Sequence, residues 1–201
     1  MKGLGKKQRE VLIGLVLGDG FLQATGKKNA RLRLEHSAKQ KSYLEWKYEV
    51  LKNFMQAPPK YIKRFNPVWQ RAYEYYRCQT HATPYLGKLK RLFYDGNRKV
   101  IPENIQSLLK APQSLAVWYM DDGNLYHRDK TAEIYLPIYQ NVELQRLVAT
   151  LKANFGLEPK IKIKKKKYPV FGFDVQQTKQ LVEIVRPYVV PSLKYKIFPT
   201  P

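Results

Sequence analysis

The sequence predicts an α+β protein made of two copies of an αββαββα unit, each with one antiparallel four-stranded sheet. Two observations lead to this prediction. Two apolar segments, residues 12–20 and 115–123, both end in an aspartate followed by glycine, and these aspartates, Asp19 and Asp122, are 103 positions apart in a chain of 201 residues. The same succession of helical and alternating patterns follows each segment. An element order repeated at so long a period indicates an internal duplication with pseudo-twofold symmetry.

The elements of the first copy follow from hydrophobic periodicity and from Gly and Pro punctuation. In chain order they are a helix, a hairpin, a helix, a second hairpin and a closing helix, predicted at 7–18, 21–24 with 29–36, 40–54, 60–65 with 68–79, and 83–94. The second strand alternates apolar and charged residues, so one face belongs to the core and one is charged. Its charged residues are Arg31, Arg33 and Glu35. The second hairpin is predicted to carry on one face Trp69, Arg71, Tyr73, Tyr75 and Arg77.

The second copy repeats this order after a linker that includes a short helical turn. Its elements are predicted at 113–122, 124–127 with 131–138, 141–155, 160–165 with 168–175, and 178–185. Asn141 is the predicted cap of the long helix, and Gly156 ends it. In the strand from Lys160 to Lys164 lysine alternates with isoleucine, which predicts a sheet with one basic face. The subdomains are accordingly placed at 1–95 and 113–201, with the linker at 96–112.

Composition points to a polyanionic partner. The formal net charge is +21, and both halves of the chain are basic. Cys78 is the only cysteine, which excludes an intramolecular disulfide and favours a reducing, intracellular compartment. No apolar run approaches the ~18 residues that a membrane span needs. No targeting signal is evident either, so we expect a bacterial cytoplasm or an organelle matrix, and no membrane partner.

The two aspartates stand at unfavourable positions. A helix C-terminus carries partial negative charge, so a carboxylate there costs roughly 0.3–1 kcal/mol. Two such cases, each closing an apolar segment, suggest a divalent cation that offsets the cost. Gly14 and Gly18 share one helix face and would let a second helix approach closely, so we expect the two apolar helices to pack side by side. The alternative is an ordinary core helix followed by Asp19 as a loop residue.

These two segments resemble the signature helices of the LAGLIDADG homing endonucleases, in the single-chain, two-motif, intron-encoded branch. The resemblance includes Ile101-Pro102 before the second motif and residues 187–197 near the end, so it covers most of the chain. Leu17 stands where the signature has its first aspartate, a position that varies in the family. The family's fold joins the two motif helices at the centre of a saddle of β-strands that binds DNA.

The resemblance also implies an active site. It assigns metal binding to Asp19 and Asp122, with Gly18 and Asp121 beside them, and Asp121 in a supporting rather than a principal part. Mg²⁺ is the expected cofactor, and Mn²⁺ or Ca²⁺ can occupy the same site. Basic residues near each scissile phosphate match Lys99 and Lys196, although both could be ordinary surface lysines. Cleavage of both strands across the minor groove, leaving short 3′ overhangs, is what the family relationship implies.

The basic strands and turns are the predicted DNA interface, because β-ribbons fit the major groove and lysines hold phosphates. A charge run is otherwise just a solvated face or a localisation signal. Candidates for base edges are Gln23, Arg31, Arg33, Arg71 and Arg77. Further candidates are Lys27, Lys28, Lys60, Lys63, Tyr73, Arg128, Lys130, Lys160, Lys162 and Lys164. The three histidines, His36, His81 and His127, are assigned to the scaffold or the DNA surface.

The predicted function is therefore a monomeric endonuclease that cuts double-stranded DNA at a long non-palindromic target. A second hypothesis is an RNA maturase that assists splicing of its host intron, because a basic saddle could also hold structured RNA. Maturases of this family often lose the catalytic carboxylates, whereas both are present here. A third, a non-cutting transcription regulator on the same scaffold, usually has a helix-turn-helix domain, for which the sequence shows no spare segment.

Overall fold

The protein was analysed as a computed structural model that describes residues 3–198. The described residues divide into two compact units, which we call unit 1 and unit 2. Unit 1 comprises the residues up to Gly18 together with those from Arg91 onward, and unit 2 is Asp19–Lys90. The predicted subdomain boundaries at 95 and 113 concern the repeated halves of the chain and stay a prediction. Within the described residues no helix combines the length and apolarity that crossing a bilayer requires.

Unit 2 is a four-stranded antiparallel sheet covered by a helix. Its elements are β1 (Phe21–Ala24), β2 (Ala30–Ser37), α2 (Lys41–Leu51), β3 (Lys60–Asn66) and β4 (Arg71–Gln79), and the strand order is β1-β2-β4-β3. Strand β2 alternates strictly between buried and half-exposed residues, as its sequence predicts. Helix α2 packs on β2 and β4 and contributes Tyr43, Leu44 and Leu51 to the core. Helix α3 (Pro84–Phe93) then leads the chain out of the unit.

Unit 1 contains the second sheet and both motif helices. Its elements are α1 (Lys6–Leu17), β5 (Tyr94–Asp95), β6 (Arg98–Lys99), α4 (Ile105–Leu108), α5 (Pro112–Asp122), β7 (Gly123–Tyr126), β8 (Thr131–Tyr135), α6 (Asn141–Phe155), β9 (Lys160–Lys164), β10 (Tyr168–Phe173) and α7 (Val175–Val185). The strand order is β7-β8-β10-β9, which repeats that of unit 2 position by position. The predicted fold class, α+β with two antiparallel four-stranded sheets from a duplicated unit, is confirmed.

Helices α1 and α5 pack directly against each other, as the glycine spacing predicts. A Cβ placed on Gly14 would lie 2.5 Å from the Ser114 carbonyl oxygen and 2.6 Å from the Val117 Cβ. The Ser114 hydroxyl donates a hydrogen bond of 2.8 Å to the Glu10 carbonyl oxygen across the same contact. The helices therefore approach so closely that no side chain fits at position 14.

Several local predictions are wrong. The cap of α6 is Gln140, not Asn141, because the Gln140 backbone N–H donates to the Glu143 carboxylate. Helix α1 ends at Leu17, so Asp19 lies beyond the helix, whereas Asp122 is the last residue of α5. Trp69 lies in the turn before β4 rather than on the strand, and its side chain is exposed. A hairpin of two short strands, β5 and β6, lies across the start of the predicted linker, and the sequence pattern did not reveal it.

Candidate functional site

The C-terminal end of α1 is held by a lysine. The Lys99 ammonium donates a hydrogen bond of 2.5 Å to the carbonyl oxygen of Gly18. Lys99 is the last residue of β6, and β6 pairs with β5 in register Tyr94 to Lys99. This short hairpin therefore delivers a positive charge to the carbonyl end of the first motif helix, where the helix dipole is negative.

The end of α5 is held in the same way. The Lys196 ammonium donates to the Met120 carbonyl oxygen over 2.6 Å and lies 3.4 Å from that of Asp121. Its backbone is fixed by the Tyr119 hydroxyl, which donates 2.8 Å to the Lys196 carbonyl oxygen. Lys196 is only 8% exposed, which is unusual for a lysine. Asp121 matches Gly18 in the two motifs, so both predicted lysines reach equivalent backbone positions.

The carboxylate of Asp121 packs against the first motif. A Cβ on Gly18 would lie 2.5 Å from the Asp121 Oδ2 atom, so only glycine leaves room for this side chain. Asp122, the next residue, ends α5 and is half-exposed. Within unit 1 the close helix contact therefore brings the backbone of Gly18, which precedes Asp19 in the chain, up to the acidic end of α5.

Asp19 is the first residue of unit 2, and its side chain is 42% exposed. Its Oδ2 atom lies 3.8 Å from the His36 Nδ1 atom. His36 is 5% exposed and ends the inward-facing series of β2, after residues 30, 32 and 34. His36 was predicted to belong to the scaffold or the DNA surface, and its place beside Asp19 was not predicted. The sequence could have indicated that His36 is buried, because residues 30, 32, 34 and 36 of a strand point to the same side and the first three are apolar.

Each motif segment ends in oxygen atoms of the kind that a hard divalent cation takes. In unit 2 Asp19 offers a carboxylate that is partly open to solvent. In unit 1 Asp122 offers another, and Gly18 and Asp121 have backbone carbonyl oxygens near the helix ends. Oxygen ligands of this kind are those that Mg²⁺ and Ca²⁺ take, and Mg²⁺ commonly binds through one or two carboxylates. Cys78 is buried and its pKa is raised to about 12 by burial, so its thiol does not belong to this chemistry.

The outer face of the unit 2 sheet carries an organised polar cluster. Gln23 accepts through Oε1 from the Arg31 Nε atom at 3.0 Å and from an Arg33 terminal nitrogen at 2.8 Å. Strand register explains this contact, because Gln23 pairs with Arg31 and Phe21 with Arg33 across β1 and β2. The guanidinium groups are thus held by a neutral partner and keep their charge for a ligand.

A second group on this face centres on Glu35, which the sequence analysis placed there without a functional role. Glu35 accepts hydrogen bonds from Arg64 and Arg77, each at 2.7 Å. The hydrogen bond from Arg64, followed by that from Arg77, lowers the pKa of Glu35 despite its partial burial. Arg64 was not predicted as a site residue. Strand alternation could have indicated it, because residues 60, 62 and 64 point to the same face of β3.

The strand register sorts the other predicted residues by face. Lys60 pairs with Arg77 and Tyr73 with Arg64, so these four residues lie on the outer face together with Arg71. Lys63 pairs with Glu74 and lies on the opposite face of β3. The register therefore does not bring Lys63 together with the other predicted contacts. Lys27 and Lys28 are exposed in the turn between β1 and β2.

The unit 1 sheet carries its own polar cluster, and this one is acidic at its centre. Glu133 is 6% exposed and accepts hydrogen bonds from Lys164 and Tyr126, while the Lys162 ammonium lies 3.8 Å from it. Burial raises the pKa of Glu133, but the hydrogen bonds from Lys164 and Tyr126 outweigh it and hold the pKa below its ordinary value. The same contact, with help from Tyr126, raises the pKa of Lys164.

The remaining predicted residues of this sheet lie at its edge and in a turn. Lys160 is exposed at the start of β9 and pairs with Gly172. Arg128 and Lys130 are exposed in the turn between β7 and β8, where Arg128 contacts Asp129 at 2.9 Å. Ile163, on the face opposite the lysines, is 58% exposed and does not join the core. The basic face of β9 is therefore present: Lys162 and Lys164 belong to the cluster around Glu133, and Lys160 is exposed at the start of the strand.

Sequence comparison connects this architecture to a known family. The model of the LAGLIDADG DNA endonuclease family matches residues 9–181, which includes both motif segments and both sheets. The chain belongs to the LAGLIDADG DNA endonuclease family. The predicted family is confirmed, and so is the predicted class of enzyme, a DNA endonuclease.

Individual members agree with this assignment. The chain is 29% identical over 199 residues to "Probable intron-encoded endonuclease 1" of Wickerhamomyces canadensis, covering 96% of this chain and 85% of that protein. It is 31% identical over 212 residues to "Protein RecA" of Mycolicibacterium flavescens, covering 98% of this chain and 47% of the relative. The chain thus spans about half the length of this RecA relative.

Two solved structures have the same fold. The homing endonuclease I-WcaI bound to its DNA recognition sequence superposes with a TM-score of 0.89 at 27% identity, covering 98% of this chain and 88% of that chain. I-DmoI in complex with DNA and Mn gives a TM-score of 0.51 at 14% identity, covering 90% and 97%, a likeness of fold alone. The LAGLIDADG fold is therefore present over nearly the whole chain, and the matches do not favour the RNA maturase alternative.

Proposed function

We propose that this LAGLIDADG protein is a homing endonuclease that cuts both strands of double-stranded DNA at a long, non-palindromic site. The observation that carries the proposal is that both motif segments keep their aspartate, each beside a backbone carbonyl group held by a lysine. A DNA-binding protein without nuclease activity would have no need for acidic residues at two matched positions in a chain of charge +21. The names of its relatives, an intron-encoded endonuclease and a homing endonuclease bound to DNA, support the same activity.

Asp19 and Asp122 are the proposed metal ligands, with Gly18 and Asp121 contributing nearby oxygens. Mg²⁺ is the proposed cofactor, and the Mn in the I-DmoI complex indicates a second ion that this fold accepts. When bound, the metal would supply an activated water and charge stabilisation for phosphodiester hydrolysis. The protein itself fixes the carboxylates at the ends of the motif segments and keeps them accessible to the DNA backbone.

Lys99 and Lys196 are the proposed basic residues near the scissile phosphates. Each ammonium donates to a carbonyl oxygen at the end of a motif helix, which fixes its position beside the proposed metal ligands. A preorganised donor of this kind can stabilise the negative charge that develops on the phosphate and the leaving oxygen. The tether means that little reorganisation is needed when the substrate arrives.

The two sheets are proposed to read different half-sites. Position 33 pairs with position 21, and position 133 pairs with position 124, which is 103 residues beyond 21, so Arg33 and Glu133 are equivalent. One sheet thus offers an arginine held by Gln23, whereas at the equivalent position of the other sheet a buried glutamate holds Lys164. The two sheets therefore present different groups at equivalent positions, so a palindromic target would suit only one of them.

The remaining parts of the proposal concern partners and assembly. The duplicated fold supplies two motif helices from one chain, so we propose that the protein acts as a monomer. Phosphate contacts come from the exposed lysines in the turns and on β9, which gives strong salt dependence. Binding of host intron RNA is the weaker candidate, because an RNA maturase does not need the two aspartates.

The proposal is tested by selection for cleavage from a pool of randomised duplex DNA, with Mg²⁺, with Ca²⁺ and with a chelator. We expect one long asymmetric sequence to be cut on both strands in Mg²⁺ and no cutting with the chelator. Recovery of no cleaved sequence, or cutting that persists in the chelator, contradicts the proposal. A parallel splicing assay with intron RNA tests the RNA maturase alternative. If that alternative is correct, the protein improves splicing and leaves the DNA intact.

A further inference from the structure

A lysine side chain is completely buried in unit 2, away from the outer face of its sheet. Lys47 lies on α2 and is 0% exposed. Its Nζ atom lies 2.7 Å from the His36 Nε2 atom and 4.2 Å from the centre of the Tyr43 ring. An ammonium loses much hydration free energy on burial. Replacing a buried charged residue by an apolar one therefore often leaves the stability of the protein unchanged. A charge kept at such a position calls for a task beyond packing.

The contact with Lys47 fixes the tautomer of His36. A lysine ammonium donates, so with Lys47 protonated the Nε2 atom accepts and the ring proton is on Nδ1. The other neighbour agrees, because the Nδ1 atom lies 3.1 Å from the Gln40 amide oxygen, which can only accept. In this tautomer the Nδ1–H is donated to Gln40, on the side of the ring away from Lys47.

That side of the ring faces Asp19. The His36 Nδ1 atom lies 3.8 Å from the Asp19 Oδ2 atom, and the imidazole is itself held between α2 and β2. The ring also contacts Tyr43 at 5.2 Å between centroids, which limits its rotation. Lys47, His36 and Asp19 therefore lie next to one another in this order within unit 2, and Asp19 is the member that is accessible to solvent.

We propose that Lys47 and His36 are positioning residues for Asp19. Lys47 and Gln40 hold the imidazole at its two ring nitrogens, and the Nδ1 edge of the ring lies 3.8 Å from the Asp19 carboxylate. The fixed ring thereby limits the orientations of that carboxylate to those suited to a divalent cation. This inference rests on the proposed function, in which Asp19 binds metal. Partners that orient a metal ligand from behind typically affect metal affinity by about 10- to 100-fold when they are removed.

The tautomer is measured first, because it needs neither a variant nor DNA. Nitrogen-15 NMR of the His36 ring in the wild-type protein distinguishes a protonated Nδ1 from a protonated Nε2. We expect the proton on Nδ1 in the wild type, and loss of this preference in Lys47→Met. A wild-type ring that is protonated on Nε2 overturns the proposal.

Metal binding is measured next with Mn²⁺ alone, through the paramagnetic broadening of the Asp19 amide signal in the DNA-free protein. We expect Lys47→Met and His36→Leu to need about 10- to 100-fold more Mn²⁺ for the same broadening. His36→Asn should retain most of the affinity, because its amide nitrogen is attached at the same carbon as Nδ1 and can donate in its place. The matched control is Lys52→Met, which removes an exposed lysine from the residue after α2.

The outcomes separate this proposal from the proposed function. If the wild type shows no broadening at Asp19, the proposed metal site fails and this inference fails with it. If the wild type binds Mn²⁺ and both His36→Leu and Lys47→Met bind it equally well, only the positioning role is overturned. Thermal unfolding of every variant identifies any that does not fold, and the nitrogen-15 measurement on the wild-type ring, which needs no variant, then decides whether the proposal stands.

Discussion

Lys99 and Gly18 are joined by a hydrogen bond of 2.5 Å from the lysine ammonium to the glycine carbonyl oxygen. The Lys196 ammonium donates a hydrogen bond of 2.6 Å to the Met120 carbonyl oxygen near the end of the other motif helix. Each bond places a cation at the negative end of a motif helix, close in the chain to Asp19 or Asp122. The two lysines therefore connect the stability of the motif helices with the chemistry proposed at their ends.

Replacing either lysine by methionine should reduce cleavage without abolishing DNA binding. Removal of one preorganised donor to a developing oxyanion costs about 100- to 1,000-fold in rate. Single-turnover cleavage and a gel-shift assay on the same target measure the two quantities. The control is Lys194→Met, an exposed lysine two residues before Lys196. Cleavage by Lys99→Met at the rate of the control would show that this lysine has only a structural part.

The Gly14→Ala substitution should destabilise unit 1, although alanine normally favours a helix over glycine by about 1 kcal/mol. The new Cβ would meet the Ser114 carbonyl oxygen at 2.5 Å and the Val117 side chain at 2.6 Å. Overpacking of this kind costs about 1–3 kcal/mol, and urea unfolding measures it. Gly3→Ala is the control, because a Cβ there meets nothing within 4 Å. An unchanged free energy of unfolding for Gly14→Ala would contradict the close helix contact.

Substitutions at the equivalent positions 33 and 133 should alter opposite half-sites of the target. Arg33→Gln removes a charged group that can contact a base edge, which is worth about 1–3 kcal/mol of discrimination. Glu133→Gln removes the charge that holds the Lys164 ammonium in place on the other sheet. Sequencing of the cleaved products from a randomised pool would show relaxed preference in one half-site for each variant. Relaxation in the same half-site for both would contradict the assignment of the sheets.

Glu133 should also make the stability of unit 1 depend on pH. Its pKa in the folded protein lies below its ordinary value of 4.5, because the hydrogen bonds from Lys164 and Tyr126 outweigh the opposing effect of burial. The folded state thus favours the carboxylate, and its contribution is present above the ordinary pKa and lost as the pH falls through the folded pKa. The difference in unfolding free energy between the wild type and Glu133→Gln should therefore shrink as the pH falls below 4.5.

The control for this pH series is Glu158→Gln, since the Glu158 side chain is 57% exposed and pairs with Lys152 at the surface. Exposed pairs contribute about 0–1 kcal/mol, so this variant should follow the wild type closely at every pH. A constant difference between wild type and Glu133→Gln over the whole range would mean that the buried cluster does not stabilise the carboxylate.

Much of this fold could be predicted because local patterns determine it. The spacing of Gly14 and Gly18 predicted the helix contact, and alternation predicted the faces of β2. The face of Lys63 could have been predicted too, because it is three residues from Lys60 and a strand alternates every two. Asn141 was a reasonable cap by residue type, but the Glu143 carboxylate reaches back to the Gln140 N–H instead.

The functional clusters could be predicted only in part, because they depend on contacts between distant segments. The hydrogen bond from Lys99 spans 81 positions of the chain, and that from Lys196 spans 76. The cluster around Glu133 depends on Gly172, which lies between β8 and β9 and leaves space for the Lys162 side chain to cross it. Only the register of three strands reveals such a gap.

The most direct test of the account compares Asp19→Asn and Asp122→Asn with the wild type on the selected target in Mg²⁺. Asparagine keeps the shape of each side chain and removes its charge, and Asp95→Asn on β5 is the matched control. We predict that both variants bind the target with nearly unchanged affinity and no longer cut both strands, while the control cuts normally. Double-strand cleavage at the wild-type rate by either variant would contradict the central claim that these two aspartates hold the catalytic metal.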